Sequence, residues 1–311
     1  MADEWDDYVW QSNGGTLFHT RHFLAYHPKD RFKDHSLIFY KSGRRAAQMP
    51  AVDIEYVGKK TLFSHRGASY GGLIYKDQLG IREAFDYVQA LIAYAKENGF
   101  QAIDLTPPPY CYYDYPNDYL EFALVQNGFV YRKREISSVI TLNFPASDIL
   151  STFKESSRRA VRKARKMGVV VRESDDYARF YEILKKNLRL RHNVTPTHTL
   201  NELIKIRDLY PDQVRLFAAF HEQDMIAGVV MFDCNPLVTL AFYISHDESF
   251  QQYRGVNVLF HEIVAWSIQR GFRSLDFGIF TVDEDPNWGL ARFKESFGAQ
   301  GIFRNSLRIE L

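Results

Sequence analysis

The chain has 311 residues, enough for two ordinary domains or for one body built from two similar halves. It is 46% hydrophobic, and 39 basic side chains offset 38 acidic ones for a net charge of +1, so no global field draws it to DNA or a membrane and any anion site must be local. Its two cysteines, Cys111 and Cys234, form no CxxC pair, which argues against a zinc site or a disulfide framework. No stretch approaches the ~18 apolar residues of a membrane helix, and the opening MADEWDDYVW is acidic rather than a signal peptide. The expected compartment is a reducing cytoplasm, with peripheral membrane contact left open.

Taken in chain order, residues 35–52 (HSLIFYKSGRRAAQMPAV) predict two strands around a Lys-Ser-Gly turn. The segment SHRGASYGGL, residues 64–73, predicts a tight loop or bulged strand where something approaches the backbone, with Ser69 and Tyr70 as candidate acceptor contacts. Residues 83–105 read as an amphipathic helix, a stop at Gly99 and a short strand ending at Asp104. After the loop at Pro107–Pro109, residues 122–142 read as a short helix, a stop at Gly128 and a long strand. The pattern breaks at 143–147 (NFPAS), which sets the expected boundary: 1–145 and 146–311.

The same order then recurs. Residues 215–234 predict a hairpin around Glu-Gln-Asp, and Asn235-Pro236 a further turn. Residues 257–277 repeat helix, glycine and strand, with Gly271 matching Gly99 and Asp276 matching Asp104. Residues 292–311 repeat helix, glycine and long strand, with Gly298 matching Gly128. The expected fold is α+β and duplicated, each half a mixed, mainly antiparallel sheet flanked by helices.

The motifs RRAVRKARKMGVVVRE (158–173), RLRHNVTP (189–196), GFRSLDFG (271–278) and, most specifically, GLARFKESFGA (289–299) resemble the FemAB-like transferases, which carry two tandem GNAT-like units. The resemblance implies transfer of an acyl or aminoacyl group to an amine of a cell-envelope, peptidoglycan or polysaccharide precursor. No cofactor would be tightly bound, and acyl-CoA or aminoacyl-tRNA would serve as co-substrate. An acyl-CoA-dependent N-acyltransferase and a non-catalytic phosphate-binding module are the rival readings. The chain has no segment long enough for the inserted helical arm of Fem proteins that use charged tRNA, which puts tRNA in doubt.

Lys294 borders the apolar face formed by Leu290, Phe293 and Phe297 on a short helix. A solvated lysine with a packed stem would account for it. The first half, however, places Leu124 at the matching position, so the fold does not require a lysine there. An ammonium at a water-poor site holds phosphate or stabilises an oxyanion, which makes Lys294 the leading catalytic candidate, with Arg292 and Phe293 as substrate contacts. Six of the nine residues from Arg158 to Lys166 are basic with no acid among them. They imply an anionic small-molecule or lipid-linked partner, with Arg158 and Arg162 placed to clamp a phosphate. The loop QQYRGVNVLF (251–260) resembles the pyrophosphate loop of acyl-CoA-dependent GNAT proteins, giving Gln252, Arg254, Gly255 and Asn257 as cofactor-binding candidates, although Asn257 departs from the small residue usual there. His192 is a candidate general base, and Tyr243 a candidate for polarising the leaving group.

Overall fold

A computed structural model describes residues 2–76, 78–192 and 195–311, the side chains of 189–192 excepted. The chain divides into two compact units, Met1–Ile136 with Ile302–Leu311, and Ser137–Gly301.

In the first unit, strands β1 (Val52–Tyr56) and β2 (Lys59–Ser64) form an antiparallel hairpin. A crossover through helix α1 (Ile81–Glu97) brings β3 (Ala102–Leu105) parallel to β2, paired from Thr61↔Ala102 to Ser64↔Leu105. Helix α2 (Tyr119–Gln126) follows. The C-terminal strand pairs antiparallel with β3, Leu307 opposite Leu105. Leu62, Val88, Leu91, Ile103 and Leu307 are fully buried in this unit's core. The predicted hairpin at 35–52 forms, as Leu37–Lys41 against Arg44–Met49, but it joins Ile74–Tyr75 in a separate three-stranded sheet.

In the second unit, helix α3 (Glu155–Lys166) leads to β4 (Val170–Ser174) and helix α4 (Tyr177–His192). Strands β5 (Val214–His221), β6 (Asp224–Asn235) and β7 (Val238–His246) form an antiparallel meander, with β4 on the outer edge of β5. Helix α5 (Gly255–Gln269) crosses over, and β8 (Ser274–Ile279) returns parallel to β7. Helix α6 (Trp288–Glu295) completes the repeat of the α1–β3–α2 order. Phe260, Phe277 and Phe297 pack as a ring cluster at the centre of this core, Phe260 4.3 Å from Phe277 between centroids.

The boundary lies elsewhere than at the NFPAS break. Residues 137–141 pair antiparallel with β8 in the second unit, while residues 302–311 belong to the first. Residues 137–141 of the first repeat's last strand and residues 302–311 of the second's therefore lie outside the unit that the rest of their repeat builds. Pattern matching finds the strand but not its partner, because pairing is a long-range choice.

Candidate active site

Helix α6 positions Lys294. Asn287 caps it, its side-chain oxygen accepting from the Leu290 amide at 3.0 Å. The chain turns away at Gly298, whose φ is +86° and where a Cβ would come within 3.0 Å of the Thr152 carbonyl oxygen. Between these two points Leu290, Phe293 and Lys294 face one cavity. Lys294 does not snorkel: it is 2% exposed, and its amine nitrogen donates to the carbonyl oxygens of Gly278 and Ile279, each at 2.7 Å. Burial lowers its pKa to about 7, against a smaller upward pull from Asp276. Asp276 is fully buried and fixes the irregularity within β8, accepting from Ser137 Oγ at 2.5 Å and from the Gly278 amide at 2.7 Å.

The cavity is the consequence of an interrupted ladder. Strands β7 and β8 pair over three residues only, from Val238↔Ser274 to Leu240↔Asp276. Beyond that point Ala241, Phe242 and Ile244 on β7 and Phe277 on β8 line a space of about 580 Å³. The register of β7 against β6 slips here: Ala241 pairs with Met231 and Tyr243 with Val230, leaving Phe242 as the extra residue of a bulge. A bulge removes one residue from the ladder and re-aims its neighbours, so a backbone unit outside the ladder sits at the cavity wall.

The start of α5 closes another side through Gly255, Val256 and Asn257. Arg254, the residue before the helix, has left-handed geometry with φ 58° and lines the same space. The first amides of a helix have no intrahelical partner and carry the positive end of its dipole. The Asn257 amide is the exception, donating to the Arg254 carbonyl at 3.0 Å. With Arg254 and Lys294 on its wall and no acidic residue lining it among the described residues, the cavity suits an anion.

The structure thus gathers Lys294, Phe293, Arg254, Gly255 and Asn257 in one place. Gln252 does not line it; its neighbour Gln251 does. Arg292 is exposed and turns back to the Trp288 carbonyl at 3.2 Å. Tyr243 lies off the cavity: its hydroxyl is 2.9 Å from His198 Nδ1, accepts from the His198 amide, and has its pKa raised to about 12 by burial. It braces a loop rather than a leaving group, because the bulge turns Phe242 and Ile244 inward in its place. Arg158 and Arg162 also lie away from the cavity lining. With Lys163 and Lys166 they have no acidic partner among the described residues, whereas Arg159 pairs with Glu155 and Arg165 with Glu262. Ser69 and Tyr70 belong to the first unit, where the Ser69 carbonyl accepts from Arg304 at 2.7 Å and Tyr70 packs edge-on against Phe18 and Tyr112. The His192 side chain lies outside the described residues. Sequence reasoning missed Phe242 and Asn287; a cap ahead of the helix was legible for Asn287, but nothing in the sequence marks the bulge.

A family model described as an acetyltransferase (GNAT) domain matches residues 151–295, the segment that builds the cavity. That segment is an acyltransferase domain of the GNAT type, and the chain carrying it is an acyl-transferring enzyme. The whole chain shares its fold with FemX, at a TM-score of 0.76 and 14% identity over 100% of this chain and 96% of that one. It is also similar to the C-terminal domain of a putative lysylphosphatidylglycerol synthetase from Agrobacterium fabrum (TM-score 0.61, 10% identity, 99% and 90% covered). A tandem GNAT protein from the clavulanic acid biosynthesis pathway matches at a TM-score of 0.53, with 10% identity over 93% and 86% of the two chains. These likenesses bear out the doubled GNAT fold. No curated protein sequence matches the chain. No helix among the described residues is long and apolar enough to cross a membrane.

Proposed function

We propose that the second unit transfers an acyl or aminoacyl group from a phosphate-bearing donor to a primary amine of a cell-envelope precursor. The observation that carries this reading is the single cavity shared by the interrupted β7–β8 ladder, the start of α5 and buried Lys294. A channel filled by side chains would favour a module that only binds; this one is open. The donor's phosphates would lie against Arg254 and the free amides of Gly255 and Val256, and its carbonyl against the bulge at Phe242.

In its neutral form the Lys294 amine keeps two N–H bonds on Gly278 and Ile279 and has a lone pair left for the cavity. The attacking amine forms its bond to the donor carbonyl carbon and passes a proton to that lone pair. Collapse then breaks the bond to the leaving group, which takes the proton back from Lys294. The rest of the acceleration is positioning and stabilisation of the oxyanion. The envelope setting draws on the Fem resemblance and on the neighbour named as a lysylphosphatidylglycerol synthetase. A simple acyl-CoA N-acyltransferase is the second reading; the α5 amides and Arg254 favour it, and the Asn257 amide, already committed, weighs against it.

Thermal-shift titration of wild type and Lys294→Met with acetyl-CoA, free CoA and UDP-linked sugars tests both. A ligand at 100 times its dissociation constant stabilises by ~2.7 kcal/mol. Stabilisation by acetyl-CoA, with thiol release on adding an amine, supports the acyl-CoA reading. Stabilisation by a nucleotide sugar alone supports the envelope reading. No shift with any of them removes the phosphate-bearing donor.

A further inference from the structure

The first unit has a cavity of its own, about 230 Å³, in the place that corresponds to the Lys294 cavity in the second. It lies over the end of β3, between α1 and α2, as the other lies over the end of β8, between α5 and α6. Leu73, Val88, Leu91, Leu105 and Leu124 give it an apolar lining, Leu124 standing where the second half has Lys294.

Its polar groups are the opposite of those in the second unit. Among the described residues no basic side chain lines it, whereas Asp118 and Glu121 do. Asp118 occupies the N-cap of α2 but makes no side-chain cap bond, and it has no cationic partner among the described residues. Glu121 accepts from the Tyr131 hydroxyl at 2.7 Å and from Asn305 at 3.2 Å, both neutral groups. Inside, Tyr75 is 2% exposed and its hydroxyl is buried with no hydrogen-bond partner. The neighbouring Asn13 side chain bonds the Asp114 amide and the Tyr115 carbonyl and lies beside the Tyr75 hydroxyl without a hydrogen bond of good geometry to it. The Tyr113 ring forms another wall, resting on Gly14, where a Cβ would come within 2.6 Å of it. Burial holds the Tyr113 and Tyr75 hydroxyls in their neutral form, with smaller contributions in the same direction from Glu121 and Asp118 at Tyr113 and from Asp118 at Tyr75. A buried hydroxyl with no partner is costly, and a ligand atom supplies what it lacks.

We infer that this cavity is a binding site for a small primary amine with an apolar body. The body fills the leucine-lined space, the ammonium sits at Asp118 and Glu121, and a polar atom of the ligand meets the Tyr75 hydroxyl. An anionic ligand is excluded by the same two carboxylates. The inference is independent of the chemistry assigned to Lys294 and stands or falls without a donor present.

The test uses the full chain with phenethylamine, 2-phenylethanol and phenylacetate as probes, followed by amide chemical shifts. The expected result is saturable shifts at residues 72–75 and 113–124, with the amine binding more tightly than the alcohol and the carboxylate not at all. Asp118→Asn alters an exposed side chain with no structural bond. It should weaken the amine about two- to fivefold, as one partly exposed charge does, and leave the alcohol unchanged. Shifts confined to the Lys294 cavity, equal binding of the three probes, or no saturable shift would each overturn the inference. So would an amine preference untouched by Asp118→Asn and Glu121→Gln together.

Discussion

The Lys294 amine nitrogen lies 2.7 Å from the carbonyl oxygen of Gly278, where β8 has parted from β7. Together with its bond to Ile279, this contact makes the lysine part of the cavity wall and gives it a defined pair of donors. Its pKa of about 7 leaves both protonation states populated at neutral pH. Lys294→Met should lower the transfer rate about 10²–10⁴-fold, the usual contribution of a proton-transfer group. Wild-type rate should rise with pH through about 7, and Lys294→Arg should not restore it, because a guanidinium does not deprotonate. Stability provides a second readout. Between about 7 and the ordinary lysine value of 10.5 the unfolded chain binds a proton that the folded chain does not. Folding stability attributable to Lys294 therefore rises with pH across that window. Chemical denaturation of wild type and Lys294→Met at several pH values should show this slope in the wild type only.

Asp276 offers a way to move that titration without touching the lysine. Its charge raises the Lys294 pKa, opposing the larger effect of burial. Asp276→Asn keeps an oxygen to accept from Ser137 and Gly278 but removes the charge. The midpoint of the pH–rate profile should fall below about 7, with activity retained further into the acid range. An unmoved midpoint would mean that another group sets the profile.

Arg254 combines a cation with left-handed backbone at the start of α5. Arg254→Gly removes the charge and suits the φ of 58°, which costs a non-glycine residue roughly 1 kcal/mol. Its melting temperature should match or exceed wild type, while the donor's Michaelis constant rises about tenfold, the loss of one charge-assisted hydrogen bond. Raising the salt concentration should weaken donor binding to wild type more than to the variant.

The sequence carries the local half of this picture. Gly99, Gly271 and Gly298 end helices where expected, and the contrast between Leu124 and Lys294 marks a position where the two halves differ in chemistry. What it does not carry is pairing. The bulge at Phe242 exists only relative to β6, and the placement of residues 302–311 only relative to β3. For the same reason the basic run of α3 could be read as a charged face, but not as one that lies away from the cavity lining. Tyr243 follows Phe242 on β7, and a one-residue slip in register is enough to exchange it for its neighbours.

Tyr243→Phe tests that exchange directly. The hydroxyl meets the amide and ring of His198 and the Thr197 side chain, so its loss should cost about 1 kcal/mol of stability, one net hydrogen bond. The cavity wall formed by Phe242 and Ile244 is unchanged. Catalytic rate and both Michaelis constants should stay within about twofold of wild type, far from the 10²-fold loss expected of a group acting on the leaving atom. A large fall in rate with no loss of stability would return the tyrosine to the reacting centre and require β7 to rotate in the working enzyme.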